Sequence, residues 1–256
     1  MKLLERESLP FDPSVTTSER VANCILTNRE GKIGIKFSQY MDSLMKDSGI
    51  KPDEKGSWPE LEEKDKVTID KIFQEIYKDW KETSNKYLKD RLKGQLVEWL
   101  VFKGLIEAYK NPDPKRFRIS KSTDPYVDKE LHTDLFINLL IGNKMRNFGL
   151  DITISNAKYF DKLGKYHQMV KEKGLAWSDN SIPILLDINN PKKPVYLSDQ
   201  RLVTIIEDPQ NRKSFGKIFY EYGFLEQIND DNRLPELRLN LGKRNVEKLK
   251  KLPSVA

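Results

Sequence analysis

The sequence predicts an α/β (α+β) fold in which a central mixed β-sheet is flanked by helices, and three observations carry this. Two short apolar, β-rich runs, Leu135 to Ile141 and Leu150 to Ser155, lie either side of a turn bracketed by Gly142-Asn143-Lys144 and Phe148-Gly149, and suit an antiparallel hairpin. A third run, Ile182 to Ile188, has the nearly continuous apolar character of a strand covered on both faces. Around them lie segments whose apolar residues recur at three- and four-residue steps, the rhythm of helices.

Taken in order, residues 1–30 show little periodicity and are broken by Pro10 and Pro13, with Thr16 to Glu19 able to start a short capped helix. Lys32 to Phe37 alternates as a short strand, and Gln39 to Lys46 suits one or two amphipathic helical turns. Residues 47–66 are polar, contain Pro52, Gly56 and Pro59, and read as a linker or exposed loop. Lys66 to Leu92 has helical spacing through Val67, Ile69, Ile72, Phe73, Ile76, Trp80 and Tyr87. Gly94 to Lys110 leaves almost no polar side, so that helix is expected to be buried on most faces.

Asn111-Pro112-Asp113-Pro114 stops it. Arg116 to Ser120 alternates as an edge strand with its basic residues outward, and Asp124-Pro125-Tyr126 is turn chemistry. After the hairpin, Asn156 to Lys173 forms a helix with Tyr159, Phe160, Leu163, Tyr166, Met169 and Val170 on one stripe, stopped at Gly174. Pro194 to Leu197 suits a further short strand. Ser198 caps a helix over Asp199 to Glu207, and Ser214 to Leu225 an aromatic-rich one. Beyond Arg233 an alternating segment leads to a basic end, Lys243 to Lys251. The expected organisation is a mostly helical N-terminal region over 1–93, an α/β core over 94–197 and a C-terminal helical extension over 198–256 packed on that core.

Composition narrows the function. The chain has 256 residues, with 11 Phe, 10 Tyr and 4 Trp, enough to fill a core. One cysteine, Cys24, excludes an intrachain disulfide and a cysteine-based zinc site, and is expected to be buried and inert. Charged residues follow Met1-Lys2-Leu3-Leu4 at once, and no apolar run is long enough to cross a bilayer. A cytoplasmic protein with no membrane partner is expected. The net charge of +6, from 45 Lys+Arg against 39 Asp+Glu, permits a polyanionic partner without requiring one. With no Walker-type glycine loop and no Gly-x-Ser-x-Gly elbow, a nucleotide cofactor and the serine-hydrolase pattern are disfavoured.

Three carboxylates stand out. Asp134 heads one apolar strand, Asp151 lies inside the next, and Glu98 sits in the middle of the most apolar helix. An ionised carboxylate in such places is costly unless it is paired or holds a metal. Glu98 could equally lie on a wet edge beside Gln95 and Lys103. If the three converge at one end of the sheet, their hard oxygens suit Mg2+ or Mn2+, which can position a water and stabilise a phosphate oxygen. The two histidines, His132 and His167, are expected at the surface, with a two-histidine plus carboxylate metal site as the alternative.

A helix with a buried Glu, a strand with Asp, an antiparallel strand with an Asp triplet and a helix bearing Gln resembles the core of the PD-(D/E)XK nuclease superfamily, the restriction endonuclease-like group. The resemblance covers about residues 94–197, on short motifs. Glu98 matches the helix glutamate, Thr133-Asp134 the Pro-Asp pair with Thr in place of Pro, Asp151-Ile152-Thr153 the (D/E)XK triplet, and Gln168 beside Tyr166 a helix signature. Thr153 stands where the pattern has lysine. The resemblance implies that a lysine from a neighbouring element replaces it, with Lys158 ahead of Lys162 and Lys165. It further implies Mg2+ (or Mn2+) on Asp134 and Asp151 with Glu98 assisting, DNA as substrate, and a symmetric homodimer as the arrangement suited to duplex cutting. The alternative is a catalytically inactive module of the same fold that binds DNA or a protein partner.

Overall fold

The computed structural model describes residues 24–27, 33–35, 37–109, 117–123, 133–141, 143–173, 181–186 and 190–228. Thr16 to Glu19, His132, the Asp124-Pro125-Tyr126 turn and the tail beyond Arg233 lie outside them.

The fold is α+β. Five strands form one mixed sheet in the order β3 (Leu61–Glu62), β4 (Phe117–Lys121), β5 (Leu135–Ile141), β6 (Lys144–Thr153), β7 (Ser181–Leu185). All neighbours are antiparallel except β6 and β7, which run parallel. A separate antiparallel pair is made by β1 (Ile25–Thr27) and β2 (Ile33–Ile35). Among the described residues, the longer helices around the sheet are α1 (Phe37–Asp47), α2 (Lys66–Glu82), α3 (Lys86–Ala108), α4 (Asn156–Lys173), α5 (Asp199–Glu207) and α6 (Pro209–Ile218), the last running into a π-helical turn at Phe219–Leu225. Among the described residues no helix is long and apolar enough to cross a membrane.

Alternation along the strands sorts the sheet into two faces. In register, Phe117, Ile119 and Lys121 of β4 lie across from Leu139, Ile137 and Leu135 of β5, and those last two across from Phe148 and Leu150 of β6. Leu150 and Ile152 then meet Ile182 and Ile184 of β7. Every residue of this face named here is buried. It packs under α3 and the π-helical turn, with Phe117 edge-on to Tyr220 and Phe148 edge-on to Phe224. The other face carries Asp151 and Thr153 and is covered there by α4.

The helix over Asn156–Lys173 and the Ser198-capped helix form as their sequence requires, and so does the hairpin, except that its second strand begins at Lys144 and takes in the residues to Gly149 expected in the turn. Cys24 is buried. Other expectations need correction. The helix expected to run to Leu92 stops at Glu82, and a new one begins at Lys86, where the Asn85 side chain accepts from the Leu88 N–H. Asn85 provides a capping oxygen, whereas an interior glycine such as Gly94 costs a helix only about 1 kcal/mol. Helix α3 therefore runs unbroken through the expected boundary at 93/94. This turns Tyr87 outward, and Val67 in the first turn of α2 is exposed as well. Phe160 leaves its expected apolar stripe and is 67% exposed.

Strand β4 is not at the edge, because the two residues of β3 pair with it. Pro194 and Val195 lie in a turn and Tyr196 and Leu197 in irregular backbone, rather than in a strand. Pro183, which has no N–H to donate, sits in β7, the strand at the far end of the sheet order. The one or two helical turns expected at Gln39 to Lys46 extend to a helix over Phe37–Asp47, closed by Gly49 at φ 83°. Gly49 donates to Lys46 O and Ile50 to Met45 O, the paired bonds of a left-handed helix stop.

The C-terminal helices pack on α3 through two glycines. A Cβ on Gly216 would run into the backbone carbonyl of Gly104, and one on Gly104 would come to 3.0 Å from the Arg212 carbonyl. Side chains at that crossing would push the helices apart. Beside it the Arg212 Nε donates to both oxygens of Glu107, at 3.2 and 3.1 Å, and its Nη1 donates to the Ile206 carbonyl.

Candidate active site

Two aspartates meet at the end of the sheet where β5 begins and β6 finishes. The Leu135–Leu150 pair is the last in the β5–β6 register, and the Asp134 N–H extends the pairing by donating to Leu150 O at 2.8 Å. One step further along that register sets Asp134 across from Asp151, on the same face of the sheet. Both are buried, at 8% and 6% exposure. Like charges directly opposite one another destabilise a sheet, so the pair needs compensation.

Part of it is local. Asp134 Oδ2 accepts from the Ile152 N–H at 2.6 Å, which fixes the carboxylate across the strand. The rest comes from two lysines approaching from opposite sides. Lys162 reaches from the second turn of α4 to Asp151 Oδ1. Lys121, at the end of β4, is 4% exposed. It donates to the Asp134 carbonyl at 3.3 Å and pairs with Glu98 Oε2 at 3.4 Å, its ammonium 5.4 Å from the centre of the Trp99 ring. Glu98 arrives from α3 and accepts a further bond from Gln95 at 3.3 Å.

The titration of these groups follows from that geometry. Burial and then the neighbouring Asp151 charge push the Asp134 carboxyl up to about 7, against the opposing pull of Lys121, Lys162 and the Ile152 N–H. Burial works against the Lys162 ammonium, but Asp151, Asp134 and Glu98 overcome it and hold Lys162 above the ordinary lysine value. A proton is thus easily held on the acid pair near neutral pH, while Lys162 stays charged.

Of the residues singled out in the sequence, Glu98, Asp134 and Asp151 come to one region, and Lys162 joins them. Lys158 is exposed in the first turn of α4, with its backbone N–H donating to Ser155 Oγ at 3.4 Å. Lysine 162 stands one turn further on and faces the sheet. Gln168 is not brought in: it is exposed and donates to Glu172 at 2.8 Å, one turn along the helix. Six residues beyond Lys162, it lies about 240° around the helix. Lys103 does not share an edge with Glu98; it is buried and paired with Asp70. Thr153 is buried, and its Oγ1 accepts from the Ser155 N–H at 3.2 Å, so the hydroxyl shapes the turn into α4.

Lys121 went unforeseen because the strand was expected to end at Ser120 with its basic residues outward. The signal was there. Arg118 and Lys121 are three apart, so in a strand they take opposite faces, and an exposed Arg118 requires Lys121 to point inward.

Among the described residues no group of three His, Cys, Asp or Glu side chains is arranged to hold a metal ion. Glu98, engaged by Lys121 and Gln95, is not gathered with the two aspartates into such a group. Two opposed carboxylates are still a fitting donor set for Mg2+ or Mn2+. Magnesium is commonly held by one or two carboxylates, with water and substrate phosphate oxygens completing its shell. Compared with protein-family models, with curated proteins and with solved structures, the chain finds no match.

Proposed function

We propose that this protein is a metal-dependent DNA endonuclease with a restriction endonuclease-like core. The observation that carries the reading is the Asp134–Asp151 pair on adjacent strands, with Lys162 reaching it from the following helix. The order α3, β4, the β5–β6 hairpin, α4 and a β7 parallel to β6 supports the same reading.

Asp134 and Asp151 would hold Mg2+ or Mn2+, which supplies Lewis-acid activation of water and of the scissile phosphate. Loss of the proton from Asp134 readies the pair for a cation. The Lys162 ammonium, held above its ordinary pKa, is placed to bond a phosphate oxygen or orient the attacking water. Lys121 anchors Glu98 and the Asp134 backbone, so that the pair keeps its geometry.

The test is plasmid cleavage with Mg2+ or Mn2+ by the wild type and by Asp134→Ala. Nicking or linearisation by the wild type that the variant lacks is the expected result. A wild type that cuts neither DNA nor RNA with any divalent ion sinks the proposal. The position of Thr153, its hydroxyl committed to a turn, favours one second reading: an inactive nuclease-like module that binds DNA or a protein partner. That reading expects DNA retention or a captured partner, with no cleavage.

A further inference from the structure

Helix α3 carries a stripe that runs from open solvent to Glu98, whose partner Lys121 bonds the Asp134 carbonyl. Tyr87, Arg91, Gln95 and Glu98 are spaced four, four and three residues apart, so at about 100° per residue they fall on one side of the helix. Tyr87 is 43% exposed and Arg91 is exposed, whereas Gln95 and Glu98 are partly buried. Contacts tie the stripe together at each end. The Arg91 guanidinium lies 5.5 Å from the centre of the Tyr87 ring and donates to its hydroxyl at 3.2 Å. Gln95 donates to Glu98, which pairs with Lys121 beneath the Asp134 carbonyl.

Gly94 lies alongside, between Arg91 and Glu98. A Cβ placed on it meets nothing within 4 Å, so no packing requires a glycine there. Glycine weakens a helix interior, and here it leaves a shallow gap in the helix surface next to Glu98. An aromatic–arginine pair, a gap and a polar residue in line with Glu98 suit a track for an extended polyanion. From Tyr87 to Glu98 the helix rises about 16 Å, the length of roughly five nucleotides of one strand.

We propose that this stripe is the backbone track on which one nucleic-acid strand is laid toward Asp134 and Asp151. Arg91 bonds a phosphate, Tyr87 offers its ring to a base or sugar, and Gly94 lets the backbone approach the helix. The inference rests on the nuclease reading for the identity of the strand, but it concerns binding and is tested without catalysis.

The test is fluorescence anisotropy with labelled single-stranded and duplex DNA in EDTA, over a salt series, using Arg91→Ala, Arg91→Lys, Tyr87→Ala and Gly94→Leu. Lys217→Ala, on the exposed side of α6, is the control. Arg91→Ala is expected to weaken binding about tenfold and to lower the salt slope by about one, with Arg91→Lys keeping the slope. Tyr87→Ala and Gly94→Leu are expected to weaken binding with less change in slope. Circular dichroism melts confirm that each variant is folded. Wild-type affinity in folded Arg91→Ala and Gly94→Leu, or an equal loss in Lys217→Ala, overturns the track. The same proteins are then given plasmid and Mg2+. Binding that depends on the stripe, without wild-type cleavage, keeps the track and removes the nuclease reading. Cleavage and binding both indifferent to the stripe do the reverse, and a wild type that retains no nucleic acid at low salt overturns both.

Discussion

Asp134 and Asp151 face one another across adjacent strands, one step past the Leu135–Leu150 pair, and the Ile152 N–H bonds the first of them at 2.6 Å. A fold gains nothing in stability from two opposed carboxylates in a sheet. Lys162 and Lys121 compensate the charge from the two faces, which makes the arrangement costly to hold and sensitive to protons and cations.

Stability should therefore fall as pH rises through the neutral range. Burial and Asp151 raise the folded Asp134 from 3.8 to about 7, so between those values the native chain holds a proton that the unfolded chain has lost. The contribution is fully present below the unfolded value and is drained by the time pH passes the folded one. Asp134→Asn keeps an oxygen for the Ile152 N–H and removes the titration. Urea unfolding at about pH 5 and about pH 8 should show the variant gaining on the wild type by a few kcal/mol at the higher pH. A gap between the two proteins that does not change with pH would contradict this. Millimolar Mg2+ at the higher pH should raise the melting temperature of the wild type and leave Asp134→Asn unmoved.

Lys162 and Lys158, one turn apart on α4, separate cleanly. Lys162→Met should lower Mg2+-dependent cleavage by roughly 100-fold or more, the scale of a lost electrostatic contact in a transition state. Lys158→Met, on the exposed first turn, should stay within about threefold. Steady-state plasmid cleavage measures both, and equal losses would mean that the Asp151 contact is not the operative one.

The sequence made the hairpin, the α4 helix and the Asp134–Asp151 pair legible, because a period of two and a capped period near 3.6 each fix which face a residue takes. Gln168 could not be judged in that way. Being in the right helix says nothing of the side, and the phase relative to Lys162 places it away from the sheet. The α2–α3 break was hidden because Gly94 looked like the stop, while the cap at Asn85 lay inside a run with helical spacing. Lys121 is legible in part: its three-residue offset from Arg118 turns it inward, but its seat on the Trp99 ring and Glu98 depends on α3 lying over the sheet, a tertiary fact.

Gly104 and Gly216 set how closely α6 approaches α3. Gly216→Val should place its side chain in the Gly104 backbone, and the helices must separate to admit it. Overpacking of this kind costs roughly 1–3 kcal/mol and sometimes more. A drop of several degrees in melting temperature is expected for a domain of this size. Gly94→Ala, with open space around the added methyl, should instead be neutral or stabilising by up to about 1 kcal/mol. Thermal melts of the two variants distinguish a glycine needed for approach from one that packing does not require.

Arg212 offers the sharpest test of the C-terminal packing. Its side chain is 9% exposed and bridges Glu107 of α3 to the Ile206 carbonyl at the end of α5, so one guanidinium joins three helices. Arg212→Ala leaves the Glu107 carboxylate, 15% exposed, with Lys103 at 3.8 Å as its cation among the described residues, and leaves the Ile206 carbonyl without this donor. Breaking one side of a buried pair typically costs about 3–5 kcal/mol, most of it the penalty on the charge left behind. Replacing both partners with apolar residues of similar volume often costs little. The double variant Arg212→Met with Glu107→Met should therefore recover much of the stability that Arg212→Ala loses, while Lys103 keeps Asp70. Urea unfolding of the two variants and of Glu107→Met measures this. A double variant no more stable than Arg212→Ala would mean that the Ile206 bond, rather than the ion pair, holds α6 in place.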